Sequence, residues 1–92
     1  MCTYQTTTLP LTGSTKGEGE WFAVTDASVY VDHPVHHPAD HAVLIDVRAP
    51  SCGPAARVAL ELDAASARAL AEALLDTLEG VPEGLLGGSG AP

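Results

Sequence analysis

The sequence predicts an α+β domain: a four-stranded antiparallel meander with one C-terminal helix packed on one face of the sheet. Three observations support this fold: four segments of alternating or β-branched residues, short turn-like connections, and one helical stripe near the C-terminus. Connections this short join neighbouring strands as hairpins, so the meander is the simplest topology. Residues 1–80 are expected to form a single domain, and residues 81–92 a flexible tail rich in glycine and proline.

The first two strands are expected on either side of a glycine-rich loop. Residues 2–11 are rich in threonine, whereas the nine residues that follow contain three glycines and no apolar residue. Pro10 has no N–H to donate, which places the first strand at an edge of the sheet. In the second strand, residues 21–32, the apolar phase changes across Thr25 and Asp26. A β-bulge at those two residues would restore one buried face.

The second half of the chain predicts two more strands and then the helix. Residues 41–48 and 57–62 alternate in apolar character, and Asp63 directly after them suits a helix N-cap. Gly80 suits the left-handed position that ends a helix. Apolar residues between these caps recur at helical spacing and are expected to lie buried against the sheet: Ala67, Leu70, Ala71, Leu74 and Leu78.

Charge excludes two classes of partner. The formal net charge is −8, and the four basic residues are scattered along the chain. A phosphate backbone requires a basic stripe, so nucleic acid is not expected as a partner. The same charge argues against an anionic membrane surface, and no apolar segment is long enough to span a bilayer.

The cysteines indicate a reducing environment. Cys2 and Cys52 are the only two cysteines, and the N-terminus has neither a basic region nor a long apolar run typical of a secretory signal. A cytoplasmic protein without a disulfide is therefore expected. A domain of 92 residues buries a small core, so a metal ion or a second subunit would add needed stability. Valine and leucine side chains on the uncovered face of the sheet favour a homodimer.

All four histidines lie within residues 33–41, in the stretch VDHPVHHPADH. In a meander His33 closes the second strand and His41 opens the third, so their β-carbons would lie about 4.5–5.5 Å apart. His36 lies in the loop between them. The first strand starts at this same edge and would bring Cys2 close, whereas Cys52 belongs to the opposite edge.

This clustering predicts a metal site. Neutral imidazoles suit divalent zinc, iron, copper or nickel, and the candidate ligands are His33, His36, His41, Cys2, Asp32 and Asp40. The spacing matches no defined zinc motif, and the prolines forbid the helix of H-E-x-x-H. One hypothesis is therefore a small metal-binding protein, which a metal-bound water could make a metal-dependent enzyme; the catalytic residues and the substrate are unassigned. The alternative is a non-catalytic homodimeric or accessory module whose histidine-rich loop lines an interface with a partner protein.

Several stretches resemble a family of short actinobacterial proteins of unknown function. Those proteins open with Met-Cys-Thr and carry a stretch similar to D-H-P-x-H-x-P-x-[DE]-H. The matching segments in this chain are Cys2-Thr3, Trp21 to Ala27, Asp32 to His41, Arg57 to Leu62 and Ser66 to Leu70. The resemblance places His37 on a variable position, which makes it the weakest ligand candidate among the histidines. It implies no activity.

Overall fold

The computed structural model describes residues 5–86, which fold into one four-stranded sheet followed by one α-helix. The strands are β1 (Thr7–Lys16), β2 (Trp21–Asp32), β3 (Ala42–Arg48) and β4 (Arg57–Leu62), and the helix is α1 (Ala64–Glu79). A short 3₁₀ turn, Pro50–Cys52, lies between β3 and β4. The strand order β1-β2-β3-β4 with antiparallel pairing throughout confirms the predicted meander. Within residues 5–86 no helix is long and apolar enough to cross a membrane.

The strand register gives the sheet one apolar face and one polar face. Residues paired across antiparallel strands share a face, and successive residues alternate between faces. Val29, Ile45 and Leu60 form one cross-strand row, and the rows on either side are equally apolar. The opposite face carries Ser28 paired with Asp46, next to the row that holds Tyr30 and Glu61. Over the paired segments 27–31, 43–47 and 58–62, one surface is therefore apolar and the other mostly polar.

β1 is longer than its composition predicts. The segment after Leu11 was expected to be a loop, yet β1 continues to Lys16, which pairs with Trp21. The remaining turn is closed by the N–H of Gly17 donating to the Glu20 carbonyl at 2.7 Å. An edge strand needs backbone pairing on one side only, so a segment without apolar residues can still be a strand. The predicted start of this strand at Cys2 lies outside the described residues.

The predicted irregularity occurs at the expected level of the sheet but in the neighbouring strand. The register of β1 against β2 shifts between Pro10 and Gly13, so two β1 residues oppose the single residue Thr25. The extra residue belongs to β1, and the assignment of the bulge to β2 was therefore wrong. A bulge in β1 does not shift the side-chain alternation of β2, so Phe22 and Val24 lie on the face opposite to Ala27 and Val29.

The helix begins as predicted and ends differently. Asp63 has extended backbone geometry, and its carboxylate accepts a hydrogen bond from the Ser66 N–H at 2.7 Å. This is the expected N-cap. Gly80, however, keeps right-handed geometry with φ −82° and ψ −6°, and its N–H donates to the Asp76 carbonyl at 3.0 Å. The left-handed cap was therefore wrong, because the last turn simply continues until Pro82 prevents further helix.

The leucine stripe of α1 is not buried in the sheet. Among the residues of α1 none is buried, and Leu74 and Leu78 are 59% and 58% exposed. The helix approaches β3 near Val43, on the apolar face, through its alanine-rich side and Leu75. A single residue, Asp63, connects β4 to α1. The predicted burial of Leu74 was wrong, because α1 presents its alanine-rich side rather than its leucine stripe to β3.

The core of the described chain is small. Its buried apolar residues are Val24 and four alanines, and no large side chain is fully buried in residues 5–86. Ala49 is 0% exposed and donates its N–H to the Ala56 carbonyl at 3.0 Å, where β3 passes into the 3₁₀ turn. The most completely buried residue therefore lies at the β3–β4 turn, and Ala42, next to His41 at the other end of β3, is buried as well.

Replacing Ala49 with Leu should destabilise the fold by about 1–3 kcal/mol, because three extra carbons have no space at a fully buried position. Urea unfolding followed by circular dichroism measures the change. The control Ala59→Leu adds the same atoms at an exposed position of β4 and should shift stability by less than about 0.5 kcal/mol. Equal losses in both variants would contradict this description of the core.

Candidate metal centre

Two histidines, His33 and His41, lie opposite each other at the two ends of the loop between β2 and β3. The last paired residues are Asp32 and Ala42, so His33 and His41 occupy the next opposed positions beyond the strand ends. Their ring centroids are 4.5 Å apart with the planes inclined by 35°. Antiparallel pairing sets this proximity, as the hairpin geometry predicts.

Asp40 lies against both rings. Its main-chain carbonyl oxygen is 2.8 Å from Nδ1 of His33, and its carboxylate lies 3.2 Å from Nδ1 of His41. A carbonyl oxygen can only accept, so Nδ1 of His33 carries the proton in this contact. In a neutral ring the remaining lone pair is then on Nε2. The aspartate therefore fixes the tautomer of His33 and faces the same nitrogen of His41.

These three side chains form a group with the dimensions of a metal site. One ligand atom from each of His33, Asp40 and His41 lies within 4.8 Å of the other two. Ligands about 2.1 Å from a tetrahedral ion lie roughly 3.4 Å from one another, so modest rotations would suffice. The Asp40 and His33 side chains are 88% and 52% exposed, and solvent leaves room for such rotation. His41 is the better buried anchor at 34% exposure.

Glu61 of β4 holds the loop in place. Its carboxylate accepts the backbone N–H groups of Val35, His36 and His37 at 2.8, 2.9 and 2.6 Å. These bonds, that of His37 foremost, hold the pKa of the Glu61 carboxyl below its ordinary value of 4.5. The side chain is only 17% exposed. One carboxylate thus bonds three successive N–H groups and ties the histidine loop to β4.

Sequence reasoning missed Glu61. The alternation of residues 57–62 assigns it to the solvent side of its strand. It does lie on the polar face, but there the β2–β3 loop folds over it from the end of the neighbouring strand β3. Two prolines in the loop and an acidic residue on a nearby strand were the available signals, and neither identifies this contact.

The other predicted ligands lie apart from this group or outside the described residues. His36 points its Nδ1 toward Glu61 at 3.8 Å and is 89% exposed. The Asp32 carboxylate accepts the N–H of His33 at 2.7 Å, which stiffens the start of the loop. Cys2 lies outside the described residues, so its role stays a prediction. Cys52, an exposed thiol in the 3₁₀ turn, lies at the opposite edge, as expected.

The polar face carries a second set of charged groups that bond one another. Tyr30 donates to one oxygen of Asp46 at 2.9 Å, and Arg57 donates to the other at 2.9 Å. Burial, and next the bond to Asp46, raise the pKa of the Tyr30 hydroxyl. Arg48 donates to the Ser28 hydroxyl at 2.9 Å. These bonds cross β2, β3 and β4, so we assign this network to sheet cohesion.

Comparison with known proteins identifies the family. The model of DUF6295, described as a family of unknown function, matches residues 1–87. The chain belongs to DUF6295. This family membership agrees with the resemblance to proteins of unknown function and covers the whole described fold. The chain shows no significant similarity to any curated protein. It shows none to any solved structure either.

Replacing Glu61 with Gln should lower stability near pH 7 and flatten its dependence on acid pH. The folded-state pKa of this carboxyl is depressed, so its contribution is complete above the ordinary value of 4.5 and is lost as pH falls through the folded pKa. Glutamine removes the charge and keeps the shape. Urea unfolding at pH 7, 4.5 and 3 measures the effect.

The matched control is Glu79→Gln at the exposed end of α1, which removes the same charge without touching the loop. This variant should retain most of the loss of stability that the wild-type chain shows as the pH falls from 7 to 3. If the two variants gave the same pH profile, Glu61 would not be the residue that secures the loop.

Proposed function

We propose that this chain binds one divalent transition-metal ion between His33 and His41, with Asp40 as the third group. The single observation that carries the proposal is the convergence of one ligand atom from each residue to within 4.8 Å. Two imidazoles and one carboxylate form a donor set suited to zinc, iron, copper or nickel.

The contacts of Asp40 support this choice of residues. Histidines that bind metals commonly donate their second ring N–H to a carbonyl or a carboxylate, which fixes the tautomer. The Asp40 carbonyl accepts from His33 in this way, and its carboxylate lies 3.2 Å from the corresponding nitrogen of His41. In the proposed site its exposed carboxylate also ligates the ion directly, so removing this side chain weakens binding.

The surroundings of the loop also favour a cation. The net charge of −8 attracts positive ions at long range. Glu61 fixes the loop backbone before any ion arrives, which reduces the ordering cost of binding. Three protein groups leave a coordination position for water, the pattern of catalytic rather than closed structural zinc sites. A hydrolytic role would use that water as its nucleophile.

The test is a zinc titration of the untagged chain by isothermal calorimetry, with bound metal counted by elemental analysis. One ion per chain is expected. The double variant His33→Ala/His41→Ala should lose measurable binding, because only one of the three groups remains. Asp40→Ala should lower affinity by roughly 10–100-fold.

The matched control is His37→Ala, which removes an imidazole from the same loop but not from the three-residue group. It should bind zinc as the wild-type chain does. Equal losses for His37→Ala and His33→Ala would indicate diffuse binding by a histidine-rich loop. No metal on the wild-type chain, even after loading, would reject the proposal and favour the interaction module.

A further inference from the structure

Two apolar surfaces of the chain are exposed, one on the sheet and one on the helix. The apolar sheet face presents Leu9, Val29 and Leu60 at 37%, 36% and 42% exposure. They belong to β1, β2 and β4, so the exposure extends across the whole sheet. The leucine side of α1 presents three more residues at 42–59% exposure: Leu70, Leu74 and Leu78.

Neither surface contains a charged group at its centre. The groove on the helix is lined by Leu70, Ala73, Leu74, Thr77 and Leu78. The rows of the apolar sheet face pair valine, isoleucine, leucine and alanine. A chain with a net charge of −8 thus keeps both surfaces apolar and carries its acids elsewhere. Surfaces of this type on a small domain mark contacts with another protein.

We propose that a second copy of this chain covers both surfaces, in a two-fold dimer in which the α1 leucines of each copy lie on the partner's apolar sheet face. The first argument is reciprocity. A two-fold interface is self-complementary, and this chain exposes both halves of an ordinary helix-on-sheet packing. The helix of each copy approaches its own sheet only near Val43, so Leu9, Val29 and Leu60 of the same face stay exposed.

The second argument is the missing core. Among residues 5–86 no large side chain is fully buried, so the described fold does not contain the packing that stabilises a domain of this size. Whatever covers these apolar surfaces must be present whenever the chain is folded. A second copy of the same chain always meets this requirement, whereas a different protein would have to be made alongside it. The six exposed side chains would supply a substantial part of the roughly 800 Å² that each partner buries in a standard interface.

This dimer does not depend on the metal proposal. The apolar face and the helix leucines form the interface, whereas His33, Asp40 and His41 occupy one edge loop. A chain that dimerises without binding zinc would reject the metal proposal alone. A chain that binds zinc as a monomer would reject the dimer proposal alone.

Light scattering on the wild-type chain should give twice the 9.4 kDa mass of one copy at micromolar concentration. Because folding and association are coupled in such a dimer, the melting temperature should rise with protein concentration. A monomeric mass together with a melting temperature independent of concentration would overturn the proposal.

Leu74→Asp should weaken dimerisation by about 100-fold, because it buries an unpaired charge in the interface. Ala69→Asp is the matched control: it adds the same charge on the same helix, at an exposed position on the side of Asp76. It should leave the dimer intact. Equal loss in both variants, or a dimer insensitive to Leu74→Asp, would overturn the assignment of the helix face.

Leu60→Asp tests the sheet side of the same contact. It should also disrupt the dimer, and mixing it with Leu74→Asp chains should recover association, since one of the two reciprocal contacts is then unsubstituted. If either variant alone is unfolded, the mixture should regain the circular dichroism signal of the folded chain, which would show that association is restored. Dimer loss with only one of the two substitutions, or no recovery on mixing, would overturn the reciprocal arrangement.

Discussion

The antiparallel register between β2 and β3 is the constraint on which the other features of this molecule depend. Pairing Asp32 with Ala42 brings His33 and His41 together beyond the strand ends. The same register aligns Val29 with Ile45 and sends Tyr30 to the other face with Asp46 within hydrogen-bonding distance. A slip of one residue would move every side chain of a strand to the opposite face and separate the histidines. The site and the apolar surface thus have one structural origin.

The loop that carries the candidate site is held by hydrogen bonds and proline rather than by burial of its own side chains. Proline restricts its backbone, Asp32 and Glu61 accept its N–H groups, and Asp40 contacts both rings. Its side chains remain largely exposed. A preorganised but accessible loop suits reversible binding of a small cation, since the backbone is ordered beforehand and the coordination sphere can still exchange with solvent. The opposite end of the sheet holds the fully buried Ala49 and the exposed Cys52.

Features set by local sequence could be predicted, and features set by contacts between distant segments could not. The alternation of apolar and polar residues predicted the strands, and the short connections predicted the meander. Asp63 predicted the start of the helix. The pairing of His33 with His41 followed from hairpin geometry. Glu61 was missed because its loop partners lie some 25 residues away. The exposure of Leu74 was missed because a helical stripe shows that a surface is apolar but not which chain covers it.

The most direct test of the central claim is long-range ¹H–¹⁵N NMR of the four imidazole rings during addition of one equivalent of zinc. The ¹⁵N chemical shifts of the His33 and His41 rings should change strongly, and those of the His36 and His37 rings should stay nearly unchanged. Equal shifts of all four rings, or no shift of the pair, would contradict a site built by the β2–β3 register.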